Sequence, residues 1–106
     1  MLRKNILITG ASSGLGWGMA LEFARKGRNL ALCARRTDRL ESLKQEIAAI
    51  DPNVRVSLRA LDVNDDQQVF EVFKAFKQEF GTLDRIIINA GMGKGASVGT
   101  GYFHAN

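Results

Sequence analysis

The stretch Thr9-Gly10-Ala11-Ser12-Ser13-Gly14-Leu15-Gly16 decides the fold. Before it, Lys4 to Thr9 contains Ile6-Leu7-Ile8, a short apolar run suited to a strand buried on both faces. After it the spacing turns helical from Gly14 to Lys26. Leu15, Met19 and Phe23 fall four apart, Ala20 and Ala24 widen the stripe, and Gly27 stands where a C-terminal glycine cap belongs. The glycine-rich run therefore joins a strand to a helix. There Gly10 allows a sharp turn, Gly14 permits close approach of a pyrophosphate, and Gly16 lets helix and strand pack closely. The amides at the helix start, with the Ser12 and Ser13 hydroxyls, can receive phosphate oxygens. The plainer reading is a glycine-rich turn with no ligand. The flanking strand and helix are the context that the phosphate-binding mechanism requires. The spacing is Gly-x-x-x-Gly-x-Gly. A formal Gly-x-Gly-x-x-Ala match at Gly91, Gly93 and Ala96 opens no helical pattern, and is read as a decoy.

The alternation continues down the chain. Leu30 to Ala34 reads as a second buried strand. Thr37 then caps a helix with Leu40, Leu43, Ile47 and Ile50 on one face, which Asp51-Pro52 stops. Val54, Val56 and Leu58 alternate with polar residues, as on a strand near a sheet edge. Asn64, with Gln67 three residues on, caps a third helix striped by Val69, Val72, Phe73, Phe76 and Phe80 and ended by Gly81. The phenylalanines at 70, 73, 76 and 80 are read as core. Ile86-Ile87-Ile88 is a fourth buried strand. This order implies an α/β fold, an open parallel sheet with helices on both faces. Residues 91–101 hold five of the eleven glycines and read as a loop.

Other candidate positions lie at strand ends. An acidic residue about 20 residues past the glycine loop would hold the ribose hydroxyls of NAD. Here Ala34 stands at that place, followed by Arg35 and Arg36. Guanidinium groups there favour the 2′-phosphate of NADP over NAD. A solvated basic loop is the alternative. Asp62, before Val63, follows the third strand; its carboxylate can accept from an adenine amino group or can precap the next helix. Asn89-Ala90-Gly91 ends the fourth strand. Its small residues admit a ligand to the backbone, and Asn89 can equally pin neighbouring strands through side-chain hydrogen bonds.

The chain has 106 residues, 45% of them apolar and 25% charged, which is globular composition. One cysteine excludes an intramolecular disulfide and a cysteine-built zinc site. Cys33 lies in an apolar run and reads as a buried thiol, which fits a reducing cytoplasm. No metal site is expected. No segment approaches the roughly 18 apolar residues of a membrane helix. The net charge of +4 permits an anionic partner without identifying one. A basic stripe with interleaved aromatics, as nucleic-acid binding wants, is lacking.

Together, Thr9 to Gly16, then Asp62-Val63, then Asn89-Ala90-Gly91 resemble the short-chain dehydrogenase/reductase family, in order and at family spacing. The resemblance spans residues 4 to 91. It implies a Rossmann-type sheet with strand order 3-2-1-4, and hydride transfer between a nicotinamide cofactor and a carbonyl or alcohol. It implies that Asp62 contacts adenine beside the Val63 backbone. It places Asn89, Ala90 and Gly91 near the adenosine ribose and makes Arg35, assisted by Arg36, a mark of NADP preference. The expected cofactor contacts are thus Gly10, Ser12, Ser13, Gly14, Leu15, Gly16, Arg35, Arg36, Asp62, Val63, Asn89, Ala90 and Gly91. The full-length form is expected to be a homo-oligomer.

The family's catalytic tyrosine, the lysine four residues beyond it, and its serine have no counterparts. Tyr102 is followed four residues on by Asn106 and lies too near Asn89, and Ser97 stands in the glycine-rich loop. His104 is read as a surface or loop residue. Residues 1–106 are therefore expected to be the N-terminal NADP-binding half of one domain, inactive alone, with 92–106 a glycine-rich loop and truncated end. The strand at Ile86–Ile88 should then present an open edge prone to association, and missing helices should leave one sheet face uncovered. The alternative is a non-catalytic NADP-binding module or pseudoenzyme.

Overall fold

The short apolar runs lie side by side because buried backbone donors and acceptors need partners out of reach of water. The computed structural model describes residues 3–89 and 104–105. Within them β1 (Asn5–Thr9), β2 (Asn29–Ala34), β3 (Val56–Ala60) and β4 (Arg85–Ile88) run parallel in the order β3-β2-β1-β4. This is the sheet type and strand order expected from the sequence. Three helices connect them: α1 (Gly14–Arg25), α2 (Thr37–Ile50) and α3 (Asp66–Phe80). Central β1 sets Ile8 opposite Leu32 of β2 and Ile87 of β4.

Side-chain alternation along these strands divides the core into two layers. Ile6, Ile8, Leu30, Leu32 and Ile87 pack with Ala20 and Ala24 of α1 and Leu40, Leu43 and Ile47 of α2. Leu7, Ala31 and Cys33 point the other way and pack with Phe76 and Phe80 of α3. Both sheet faces are therefore covered, α1 and α2 on one side and α3 on the other. β3 is an edge strand whose residues are half-buried or exposed, as its alternating sequence implies.

Five details differ from the sequence reading. In α1, Ala20 and Ala24 are buried as expected and Met19 and Phe23 pack half-buried against the same core, but Gly16 is buried and Leu15 is 55% exposed. The glycine turn brings α1 so near the sheet that only small residues fit beneath it. Thr37 is the first residue of α2, not its cap, and α3 is capped by Asp65, not Asn64. The Asp65 Oδ1 accepts from the Gln68 amide at 3.1 Å. Phe70 is 65% exposed and lies outside the core. Finally, β5 (His104–Ala105) pairs antiparallel with Ile86 and Ile87, inside the segment read as loop and chain end. The β4 edge is thus partly paired, not fully open. Residues 90–103, which include the whole 91–101 loop and Tyr102, lie outside the described residues, as does Asn106.

Gly27 does close α1, at φ 76°. Its amide donates to the Ala24 carbonyl and the Arg28 amide to that of Phe23, the paired bonds of a glycine-closed helix end. At the amino ends of the strands two carboxamides complete the backbone pairing. Asn29 Nδ2 donates to Asn5 Oδ1 at 2.9 Å, and Asn29 Oδ1 accepts from the Arg55 amide at 2.9 Å.

Cys33 is fully buried, and desolvation pushes its thiol from an ordinary 9.0 up to about 12. In the unfolded chain this thiol ionises above pH 9, whereas the folded chain must keep it protonated. Its contribution is therefore complete below pH 9 and is lost as pH rises toward 12, at about 1 kcal/mol per pH unit. Urea titrations between pH 8 and 11 should show the wild type losing stability more steeply than Cys33→Ala by about that slope.

Candidate functional site

The turn between β1 and α1 is organised around one carbonyl. Gly10 sits at φ 65°, a left-handed conformation that a side chain disfavours. Its carbonyl oxygen accepts from the Ser13 amide at 3.2 Å, the Ser13 hydroxyl at 2.9 Å and Asn89 Nδ2 at 3.1 Å. Asn89 Nδ2 also donates to Ser13 Oγ at 3.1 Å, and the Asn89 amide donates to Thr9 Oγ1 at 3.0 Å. Asn89 therefore ties the end of β4 to the glycine turn, the pinning role left open above. Thr9, to which the sequence reading assigned no role, is 1% exposed and supplies the buried acceptor.

The three glycines have different surroundings. A Cβ on Gly16 would lie 2.5 Å from the Gly10 carbonyl oxygen and 2.9 Å from Ala11 Cα, so α1 rests directly on the turn. A Cβ on Gly10 would meet the Asn89 carbonyl oxygen at 2.7 Å. A Cβ on Gly14 would have nothing within 4 Å. That open side stands at the first turn of α1, which carries no acidic residue. Ser13 precedes the helix, yet its side chain makes no cap bond, because its hydroxyl is turned to Gly10. The first-turn amides thus meet neither a capping hydroxyl nor a carboxylate, an arrangement suited to an anion.

A cleft of about 140 Å³ opens beside this turn, lined by Gly10, Ser12, Ser13, Ala34, Arg35, Leu61, Val63 and Asn89. It brings the ends of β1, β2, β3 and β4 together at the carboxyl edge of the sheet, where ligands of open α/β sheets bind. A larger hollow of about 620 Å³ lies at the amino edge, lined by Arg3, Lys4, Asn5, Arg55 and Asp84 among others. It contains none of the glycine turn.

The remaining candidates are placed unequally. Arg35 lines the cleft, and Ala34 beside it leaves no carboxylate at the end of β2. Arg36 is not among the lining residues and pairs with Asp38 at 3.0 Å. Desolvation raises the Asp38 pKa, but hydrogen bonding and charge from Arg36 and the backbone amides outweigh it and hold this carboxyl below its ordinary value. Leu15 is exposed next to the open side of Gly14. Asp62 precedes α3, with its Oδ1 accepting from the Asn64 amide at 2.9 Å and its own amide donating to Gln68 Oε1 at 2.6 Å. The helix-precapping role is therefore present, and its neighbour Val63 lines the cleft. Ala90 and Gly91 lie outside the described residues, as does the decoy glycine match. No cluster of three histidine, cysteine or acidic residues suited to a metal occurs among the described residues. No helix there is long and apolar enough to cross a membrane.

The chain resembles known proteins in sequence and fold. The family model for short chain dehydrogenases matches residues 4–102. An uncharacterized oxidoreductase of Mycobacterium tuberculosis is 56% identical over 104 residues, covering 98% of this chain and 41% of that protein. The solved structure of levodione reductase superposes with a TM-score of 0.80 at 34% identity, covering 84% of this chain and 34% of that one. An alcohol dehydrogenase from Thermococcus sibiricus, complexed with 5-hydroxy-NADP, also gives 0.80, at 40% identity over 87% of this chain and 39% of that one. The chain thus spans about two fifths of the length of its curated relative.

Gly16→Ala should destabilise the protein by about 1–3 kcal/mol, because the added methyl meets backbone that cannot step aside. Gly14→Ala, facing open space, should cost far less. Paired urea melts of the two variants check this contrast.

Proposed function

This chain belongs to the short-chain dehydrogenase family, and on that footing we propose that residues 1–106 form the NADP-binding half of an oxidoreductase domain. The whole protein would act on a small carbonyl or alcohol substrate. The observation that carries the cofactor reading is the shared cleft, which Ser12, Ser13 and Arg35 line together. A dinucleotide bearing a 2′-phosphate would meet both the serines and Arg35. The first-turn amides of α1 and the open side of Gly14 would receive the pyrophosphate. Arg35 would take the 2′-phosphate as a charge-assisted pair. Ala34 introduces no opposing carboxylate. Leu15, Gly10, Gly16 and Asn89 would shape the approach, and Asp62 and Val63 would border the adenine, with Ala90 and Gly91 near the ribose. Arg36 would assist only by releasing Asp38.

When bound, the nicotinamide supplies the hydride chemistry. The work of this chain's own residues is to hold and orient the dinucleotide. The family's tyrosine, lysine and serine have no counterparts at family spacing here, so we assign no proton-transfer step to these residues and expect no turnover from them alone.

NADPH should bind the intact natural protein more tightly than NADH, by about tenfold or more for one charge-assisted contact. Arg35→Asp should erase or reverse that preference. Calorimetric titration with both cofactors checks it, and equal affinities in the wild type would contradict the role given to Arg35.

A further inference from the structure

The basic run after β2 places its three arginines in three different settings. Arg35 lines the cleft and Arg36 is engaged with Asp38. Arg39, in the first turn of α2, reaches back across to the glycine turn. Its Nε donates to the Ser12 carbonyl at 3.2 Å, and its guanidinium carbon lies 5.8 Å from the centroid of the Trp17 ring on α1. That distance is within the roughly 6 Å reach of a cation–π contact.

The bond to Ser12 falls on a particular peptide unit. The Ser12 carbonyl and the Ser13 amide belong to one planar group. The Ser13 amide donates inward to Gly10 at 3.2 Å, while the Ser12 carbonyl accepts outward from Arg39. The plane is therefore held at both ends and cannot turn without breaking a bond. The next amide in the chain is that of Gly14, at the open side of the turn. Trp17, one turn further along α1, gives the guanidinium a flat surface to lie against.

We propose that Arg39 and Trp17 are a positioning pair for the phosphate-receiving turn. By clamping the Ser12–Ser13 peptide plane, Arg39 sets the direction of the Gly14 amide and of the Ser12 hydroxyl. The inference rests on the cofactor reading above and adds a residue that acts through the turn, not on the ligand. It distinguishes Arg39 from Arg35. Arg35 faces the 2′-phosphate, which only NADPH carries, whereas the turn serves the pyrophosphate that NADPH and NADH share. Lysine cannot replace Arg39, because it has neither the Nε donor nor a planar group to rest on Trp17.

The test is calorimetric titration of the intact natural protein and its Arg39→Met and Arg39→Lys variants with NADPH and with NADH, alongside urea melts of the cofactor-free proteins. Both variants should lose about threefold to tenfold in affinity for each cofactor, as for one lost hydrogen bond. Their NADPH-to-NADH ratio should stay at the wild-type value, and their urea midpoints should fall by no more than the loss of one exposed hydrogen bond allows. Unchanged affinity for both cofactors would overturn the proposal. So would a loss confined to NADPH, which would make Arg39 a direct phosphate ligand. A urea midpoint lowered beyond that, failure of both variants to fold, or rescue by lysine would also overturn it. A wild type that binds neither cofactor would overturn the cofactor reading itself, before any substitution is compared.

Discussion

The carbonyl oxygen of Gly10 is the point on which the rest of the architecture depends. It accepts from the Ser13 amide, the Ser13 hydroxyl and the Asn89 carboxamide, and it lies under Gly16 at a distance no Cβ tolerates. These contacts tie three separate elements to one atom: the end of β1, the start of α1 and the end of β4. The left-handed turn at Gly10 aims the carbonyl, and the missing side chain at Gly16 lets the helix settle onto it. The small-residue stripe of α1, Gly16, Ala20 and Ala24, continues that close approach along the sheet. Helix position, sheet register and cleft shape therefore share one local cause.

The same packing gives the cleft its electrostatic character. Ser13 spends its hydroxyl on Gly10 and so leaves the first-turn amides of α1 without a side-chain cap. No acidic residue lies in that turn, and none stands at the end of β2, where Ala34 leads into Arg35. A helix start uncapped by acid and an arginine lining the same cleft both favour negative charge. The acidic groups nearby are occupied elsewhere: Asp38 by Arg36, and Asp62 by the turn into α3.

Much of this was legible because each signal was local. A glycine needed for a left-handed turn or a close contact marks itself by type and spacing, and short apolar runs between turns mark buried parallel strands. What failed to show depended on tertiary distance. In α1 the positions 15/19/23 and 16/20/24 both reach the core, and periodicity alone cannot say that Leu15 turns outward while Gly16 turns in. The closeness of α1 to β1 decides for the smaller one. Asn64 and Asp65 are each followed three residues later by a glutamine, Gln67 and Gln68, so two capping registers competed and the later prevailed. Phe70 shares the phenylalanine spacing of its helix but lies at its exposed flank. β5 is two residues long and carries no period to read. Arg39 carries no mark of its role in the sequence, since its partner is a backbone carbonyl that no side-chain pattern reports.

Backbone amide NMR during titration with NADP tests the central claim most directly, because the cleft at the glycine turn and the larger hollow lie at opposite edges of the sheet. The account predicts that the largest shifts fall on Ser12 to Gly16, Arg35 and Val63, around the Gly10 turn. Shifts centred instead on Lys4, Asn5, Thr82 and Asp84, at the larger amino-edge hollow, would contradict it.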